Sequence, residues 1–172
     1  MVQPPSNLVV RLAAPGDAAA LNEMIAAFAA YERLPNHSTA DSLRAEMQRP
    51  DKAFEAVLAI LDGVPVGFAV IFPTYATFAA KRGLYLEDIF VREPYRNRGI
   101  ASAILRFVAN TAVERDLGRV EFTVLLWNTV AIEFFERLGA LPASAWTTYR
   151  LSGDWLRKLA AEHTGTFTRL PG

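Results

Sequence analysis

Cysteine is absent from these 172 residues, which excludes disulfides, thiolate metal ligands and a cysteine nucleophile and agrees with a reducing compartment. A dominant sign of charge is missing too, since eighteen Lys and Arg meet eighteen Asp and Glu. Without a global field to gather nucleic acid or an anionic membrane surface, binding has to come from a local site. The two histidines, His37 and His163, stand alone without a second ligand at metal spacing and predict surface residues. No apolar run reaches the roughly 20 residues of a spanning helix. The alanine-rich stretch from Ala18 to Tyr31 is interrupted by Asn22 and Glu23 and predicts a soluble helix. Met1 to Asn7 lacks a basic n-region and runs into a Pro15-Gly16-Asp17 turn, unlike a secretory signal. The expectation is a cytoplasmic protein with no metal, no membrane and no nucleic-acid partner.

What is present is enough apolar material, 52% of residues, for one domain with its own core. Leu8 to Leu12 reads as a strand, and Leu21, Met24, Ile25 and Phe28 recur with helical spacing behind Gly16-Asp17. Thr39 is placed to cap a second helix through Met47. Phe54 to Leu61 and Val64 to Phe72 flank Asp62-Gly63, which supplies the positive φ of a tight hairpin. A loop from Pro73 to Gly83 is expected next, then a strand from Leu84 to Val91 and a helix from about Gly99 to Leu117, stopped by Gly118. Val120 to Leu126 predicts a strand, and Asn128 caps a helix through Leu138 with Gly139 past its end. Thr147 to Leu151 predicts a late strand and Asp154 to Ala161 a short helix. The fold class is mixed α/β, a mostly antiparallel sheet with helices on both faces. It forms a single domain of 1–172 with a core of about 8–161 and a loose tail, 162–172.

Two segments carry candidate chemistry. In Arg96-Asn97-Arg98-Gly99-Ile100-Ala101, a glycine and a small residue at a helix start let backbone N–H groups approach an anion, and the helix end favours negative charge. Arg96 and Arg98 add charge-assisted donors. An ordinary strand-to-helix turn with solvated arginines explains the hexapeptide equally well. Neither a three-glycine dinucleotide fingerprint nor a P-loop occurs. Asn128 to Gly139 reads by itself as a capped amphipathic helix with Ala131, Phe134, Phe135 and Leu138 buried.

In this order, about thirty residues apart with a strand between, the two segments resemble the acetyl-CoA site of the GNAT acetyltransferases. Leu84-Tyr85-Leu86-Glu87-Asp88-Ile89-Phe90-Val91, Tyr95-Arg96, Trp127-Asn128 and Ala30-Tyr31-Glu32 resemble the spermidine/spermine (diamine) and thialysine acetyltransferase branch. The likeness covers most of residues 8 to 160. It implies that Ile89, Phe90 and Val91 pair with the pantetheine arm. It further implies that Arg96, Asn97, Arg98, Gly99, Ile100, Ala101 and Ser102 hold the pyrophosphate, and that Asn128, Phe135 and Arg137 contact the cofactor. Tyr31, Glu32, Glu87 and Asp88 then line the amine pocket. A homodimer, with the late strand and terminal helix at its interface, is implied as well.

Glu87 has an argument of its own. Glu87 and Asp88 stand consecutively in an apolar strand, where alternation sends them to opposite faces, and a buried carboxylate needs a partner or a purpose. An amine of pKa about 10.4 arrives as ammonium, and neutralising it at pH 7 costs about 4.6 kcal/mol. A carboxylate can bind that cation and then take its proton, more effectively when burial raises its pKa. Glu87 is assigned both duties, with structural bonding to backbone or Arg groups as the alternative for each acid.

The chain departs from the branch at Phe135, which stands where the relatives carry a tyrosine thought to protonate the departing thiolate. A thiol of pKa about 8.5 leaves tolerably without help, and general acid catalysis contributes roughly 10²–10⁴-fold, so a slower enzyme is expected before a dead one. Water or another hydroxyl, Tyr149 among them, is the substitute. The expected activity is acetyl-CoA-dependent N-acetylation of a primary amine on a polyamine, a diamine or a lysine-like amino acid. An aminoglycoside or a protein N-terminus stays open because acceptor loops diverge, and so does a longer acyl-CoA. The rival is an acyl-CoA-binding protein with weak or no catalysis. Trp127, Trp146 and Trp155 are expected in packing or at an interface.

Overall fold

The structure is a computed structural model and describes residues 2–162. It divides into two compact units, with the boundary between Thr123 and Val124. The first is built on a five-stranded sheet in the order β1-β2-β3-β4-β5, formed by β1 (Leu8–Leu12), β2 (Glu55–Leu61), β3 (Val64–Ala76), β4 (Lys81–Val91) and β5 (Val120–Glu121). Every neighbouring pair is antiparallel except β4 with β5. Helices α1 (Ala18–Glu32), α2 (Ala40–Gln48) and α3 (Ile100–Glu114) complete the unit. Thr39 caps α2 by accepting from the Ser42 N–H. Asp62 and Gly63 take φ of 52° and 78°, the left-handed pair that a two-residue hairpin needs.

Register assigns the two faces. Ala56 and Leu58 pair with Val70 and Phe68, and all four join Leu21 and Met24 of α1 and Met47 of α2 in one cluster with Phe90. Phe28 sits against both Phe68 and Phe90, at ring separations of 6.2 and 5.5 Å. The other face carries α3. There a side chain at Gly67 would meet Ile104 at 3.1 Å and the Phe90 carbonyl oxygen at 2.8 Å, so only glycine lets helix and strand approach this closely.

Several expectations need correction. No loop runs from Pro73 to Gly83. Pro73, Thr74, Tyr75 and Ala76 pair with Leu84, Gly83, Arg82 and Lys81, leaving only 77–80 as a turn. Past Ile71, β3 has no β2 partner, so the missing N–H of Pro73 falls on an open edge where proline is tolerated. α3 ends at Glu114 instead of Leu117, because Asp116 turns left-handed (φ 52°). Gly118 is a packing residue whose added Cβ would meet Lys81 at 3.1 Å. Of the expected strand Val120 to Leu126, only Val120 and Glu121 pair.

The second unit contains α4 (Thr129–Arg137) and α5 (Gly153–Ala161). Thr147 to Leu151 forms no strand among the described residues. Trp146 and Tyr149 are 79% and 92% exposed, and Trp127, Leu151, Trp155, Leu156 and Leu159 are exposed as well. The tryptophans therefore do not pack into a core in the single chain. No helix among the described residues is long and apolar enough to cross a membrane. His163 and the tail 163–172 lie outside the described residues.

Candidate active site

The site is organised by a break in β4. Asp88 pairs with Val70 and Leu86 with Ile71, so Glu87 is an extra residue with no partner of its own. Such a bulge disrupts the two-residue repeat and bends the strand. Ile89 and Val91 therefore face the same way as Leu84 and Leu86, although their numbers differ in parity. Alternation therefore no longer fixes the face of Glu87 relative to Asp88.

Asp88 lies on the α1 and α2 side, two residues before Phe90. Its carboxyl is pushed up to about 6, first by burial and then by repulsion from Glu87 and Glu32. Burial raises Glu32 as well. Both other acids thus act on Asp88, a link that sequence alone does not reveal. Glu87 is exposed and Asp88 half-buried.

Beyond the bulge, β4 has an open edge. It pairs with β5 only at Leu84 with Val120 and Tyr85 with Glu121, and the Tyr85 hydroxyl lies 3.2 Å from Thr123 Oγ1 where the strands part. From Leu86 to Val91 the backbone on that side has no strand partner among the described residues. Ile89, Phe90 and Val91 are in this stretch. An extended ligand with amide groups, as a pantetheine arm is, can hydrogen-bond such an edge.

A single 3-10 turn, Glu93–Tyr95, connects β4 to the start of α3. No side chain caps α3, and Gly99 enters it at φ 75° with Asn97 also left-handed at 60°. The first-turn N–H groups of Ile100, Ala101 and Ser102 have no intrahelical acceptor, which leaves an end suited to an anion. One neighbour went unforeseen: a Cβ on Gly99 would meet the Val2 carbonyl oxygen at 2.7 Å and the Pro4 nitrogen at 2.9 Å. Residues 2–4 carry no sequence signal for that contact.

The two arginines of this loop are held in different ways. Arg98 lies over the Tyr95 ring at 5.6 Å. Arg96 donates from Nε to the Val91 carbonyl at 3.1 Å and lies 4.7 Å from the centre of the Tyr31 ring and 5.7 Å from that of Phe90. A cleft of about 770 Å³ opens here, lined by Tyr31, Phe90, Arg92, Tyr95 and Arg96 among others.

In the second unit, Asn128 Oδ1 accepts from the Ala131 N–H at 3.2 Å and so caps α4, which leaves its amide nitrogen outside the cap. Arg137 pairs with Glu133 at 3.5 Å. Phe135 is buried with its ring 5.2 Å from that of Phe134. His37 is exposed, and among the described residues no group of three His, Asp or Glu side chains gathers as metal ligands do.

Comparison with known proteins agrees with this architecture. The profile of the Acetyltransferase (GNAT) family matches residues 20–140. The chain is 44% identical over 110 residues to L-ornithine N5-acetyltransferase NATA1 of Arabidopsis thaliana, a match over 64% of this chain and 45% of that longer protein. It is 30% identical over 170 residues to thialysine N-epsilon-acetyltransferase of Sus scrofa, covering 91% of this chain and 99% of the relative. Among solved structures, an integron cassette protein from the mobile metagenome of V. cholerae superposes with a TM-score of 0.78 at 19% identity, over 91% and 99% of the two chains. The soil-metagenome aminoglycoside acetyltransferase meta-AAC0020 does so with 0.71 at 18%, over 85% and 97%; at these identities the likeness is one of fold. The chain belongs to the acetyltransferase (GNAT) family and is an enzyme of the N-acetyltransferase class.

Proposed function

We propose that this enzyme transfers the acetyl group of acetyl-CoA to a primary amine of a small cationic acceptor by direct attack in a ternary complex. The observation that carries the reading is the bulge in β4, which sets Glu87 and the raised carboxyl of Asp88 beside an open strand edge. The two relatives named above act, by name, on ornithine and thialysine, both small amines. Both units are taken as parts of one acetyltransferase domain, because the family match runs through both.

Acetyl-CoA supplies an acyl group activated as a thioester. The open edge at Ile89, Phe90 and Val91 suits its pantetheine arm, and a backbone N–H near Phe90 is suited to polarise the thioester carbonyl. The uncapped start of α3, from Asn97 to Ser102, suits the pyrophosphate. Asn128 and Arg137 are assigned to the same cosubstrate on family resemblance alone. Glu87, exposed at the bulge, binds the incoming ammonium. Asp88, raised to about 6, is the better proton acceptor near neutral pH, because a base works best with a pKa close to the operating pH. The freed amine nitrogen attacks the carbonyl carbon, the carbon–sulfur bond breaks, and the sulfur departs as thiolate. Phe135 offers no proton to that sulfur, and Tyr149, almost wholly exposed, is not held in place to do so.

The reading includes a cytoplasmic homodimer, supported by the bare apolar surface of Trp146, Tyr149, Leu151 and α5. Sedimentation equilibrium of the purified chain checks it, and a monomer at micromolar concentration would count against it.

Thiol release from acetyl-CoA, followed with polyamines, diamines, lysine analogues and aminoglycosides and confirmed by product mass, tests the activity. Amine-dependent release with a gain of one acetyl group supports it, and Phe135→Tyr is then expected to raise the rate by roughly tenfold or more. Tight acetyl-CoA binding with no release on any amine would make this chain a binding protein.

A further inference from the structure

A glycine at the head of a phosphate-binding helix leaves out the Cβ, so that a ligand's oxygens can come close to the backbone. At Gly99, the N-cap residue of α3, the space left in this way is already filled by the chain itself. The Val2 carbonyl oxygen, the Pro4 nitrogen and the Gln3 carbonyl carbon stand 2.7, 2.9 and 3.0 Å from the point that a Cβ would occupy. Residues 2–4 thus lie as a strap against the entrance to α3.

The strap is held lightly and hinged at one end. Val2 is 60% exposed, and among the described residues no backbone hydrogen bond ties the strap to the first turn of α3. Its anchors lie behind it: the Leu8 N–H donates to the Pro5 carbonyl at 3.1 Å, and the Asn7 amide donates to Asp62 at the hairpin turn. Gln3 and Pro4 each precede a proline, which confines both to extended backbone, and the rings fix φ of Pro4 and Pro5. Residues 2–4 therefore move as one stiff rod, and rotation about ψ of Pro5 carries them off Gly99 with the anchoring turn intact. What the rod presents to the helix end is an acceptor, the Val2 carbonyl, while Pro4 has no N–H to offer. Such an oxygen is attracted to the positive end of a helix and repelled by a diphosphate brought to the same place. Strap and pyrophosphate compete.

We propose that residues 2–4 are an autoinhibitory strap, closed on Gly99 in the free protein and swung aside when the pyrophosphate of acetyl-CoA reaches the start of α3. The inference rests on the cosubstrate assignment made above and adds a control to it. A site that is open for only a fraction of the time binds with its dissociation constant divided by that fraction. The strap thereby sets the concentration of acetyl-CoA at which the enzyme saturates and leaves kcat to the residues at the bulge.

The test compares the full chain with one lacking residues 2–4, by calorimetric titration with CoA and with inorganic pyrophosphate. None of the three residues is buried, so the thermal melt should stay in place. The deletion is expected to tighten both ligands about three- to tenfold, as a strap closed about two-thirds to nine-tenths of the time requires. The KM of acetyl-CoA should fall alike, with kcat and the KM of the amine unchanged. Equal or weaker CoA binding after the deletion overturns the inference. A second measurement uses a fluorophore on Gln3→Cys, the only thiol in a chain without cysteine. Its emission should change as CoA saturates the protein, and constant emission would show that the strap stays where it is. CoA binding with no amine turned over sinks the acetyl-transfer reading alone, because the titrations still decide the strap. If neither protein binds CoA, the cosubstrate assignment and the strap fall together.

Discussion

Asp88→Asn is expected to lower kcat/KM by roughly 10²–10⁴-fold, the usual contribution of a positioned general base, while making the folded protein more stable at neutral pH. Both effects follow from burial and from the charges of Glu87 and Glu32, which push the Asp88 carboxyl up to about 6. In the wild type, kcat/KM should climb with pH through about 6 as the base loses its proton, then level off. In Asp88→Asn that limb should vanish. Glu87→Gln should instead raise the KM of the amine and keep the limb, because the role proposed for Glu87 is to bind the cation. If the limb persists in Asp88→Asn and disappears in Glu87→Gln, the two acids exchange roles.

The stability effect has the opposite sign. Unfolded, this carboxyl ionises near its ordinary value of 3.8, and folded near 6, so between these values the native state holds the extra proton. Stability then falls as pH rises across that window and stays reduced above it. Replacing the acid by a neutral amide removes a penalty of roughly 1–3 kcal/mol at pH 7 and little below pH 4. Thermal melts of both proteins at pH 4 and pH 7.5 measure this. A variant destabilised equally at both pH values would show that Asp88 serves the fold and not the chemistry.

Phe68→Ala carries the largest expected cost to folding, about 3–5 kcal/mol for deletion of a fully buried ring. Phe68 has no exposed surface, and its ring contacts those of Phe28 and Phe90 at 6.2 and 6.1 Å. Part of the cost is the cavity left among these rings and Leu21, Met24 and Leu58, which cannot all close inward together. The urea midpoint should drop with an unchanged slope. A loss under about 1 kcal/mol would mean that the cluster refills the space, against the usual behaviour of close-packed interiors. Because Phe90 also lies beneath Arg96, loosening Phe68 should reach the cleft that both residues line as well.

Local signals in the sequence placed β1, the Asp62-Gly63 hairpin, the Thr39 and Asn128 caps and the start of α3, since each depends on neighbours within a few residues. The failures were non-local. Pro73 and Gly83 look like loop residues until the edge position of Pro73 and the close approach of Thr74 to Gly83 are known. β5 pairs with β4 at two positions only, a limit set by the partner strand that Val120 to Leu126 cannot reveal. For the site, the resemblance identified residues and the structure related them. A bulge has no composition signature, and the repulsion that Glu32 exerts on Asp88 arises across more than fifty residues of chain. The motif gives Arg96 its place in the loop, and the structure adds its contacts with Tyr31, Phe90 and Val91.

The extra residue in β4 has a further consequence, for how this protein can vary. Facing in a strand depends on counting by twos, and Glu87 restarts the count. Residues 88–91 take their alignment from Gly67 to Val70, whereas residues 81–86 answer to Ile71 to Ala76 across the other half of the hairpin. Lengthening or shortening the arm that turns at 77–80 therefore resets only the outer half. The outer arm is free to drift, or to be redesigned for a new neighbour, while the inner half keeps its acid pointed the same way.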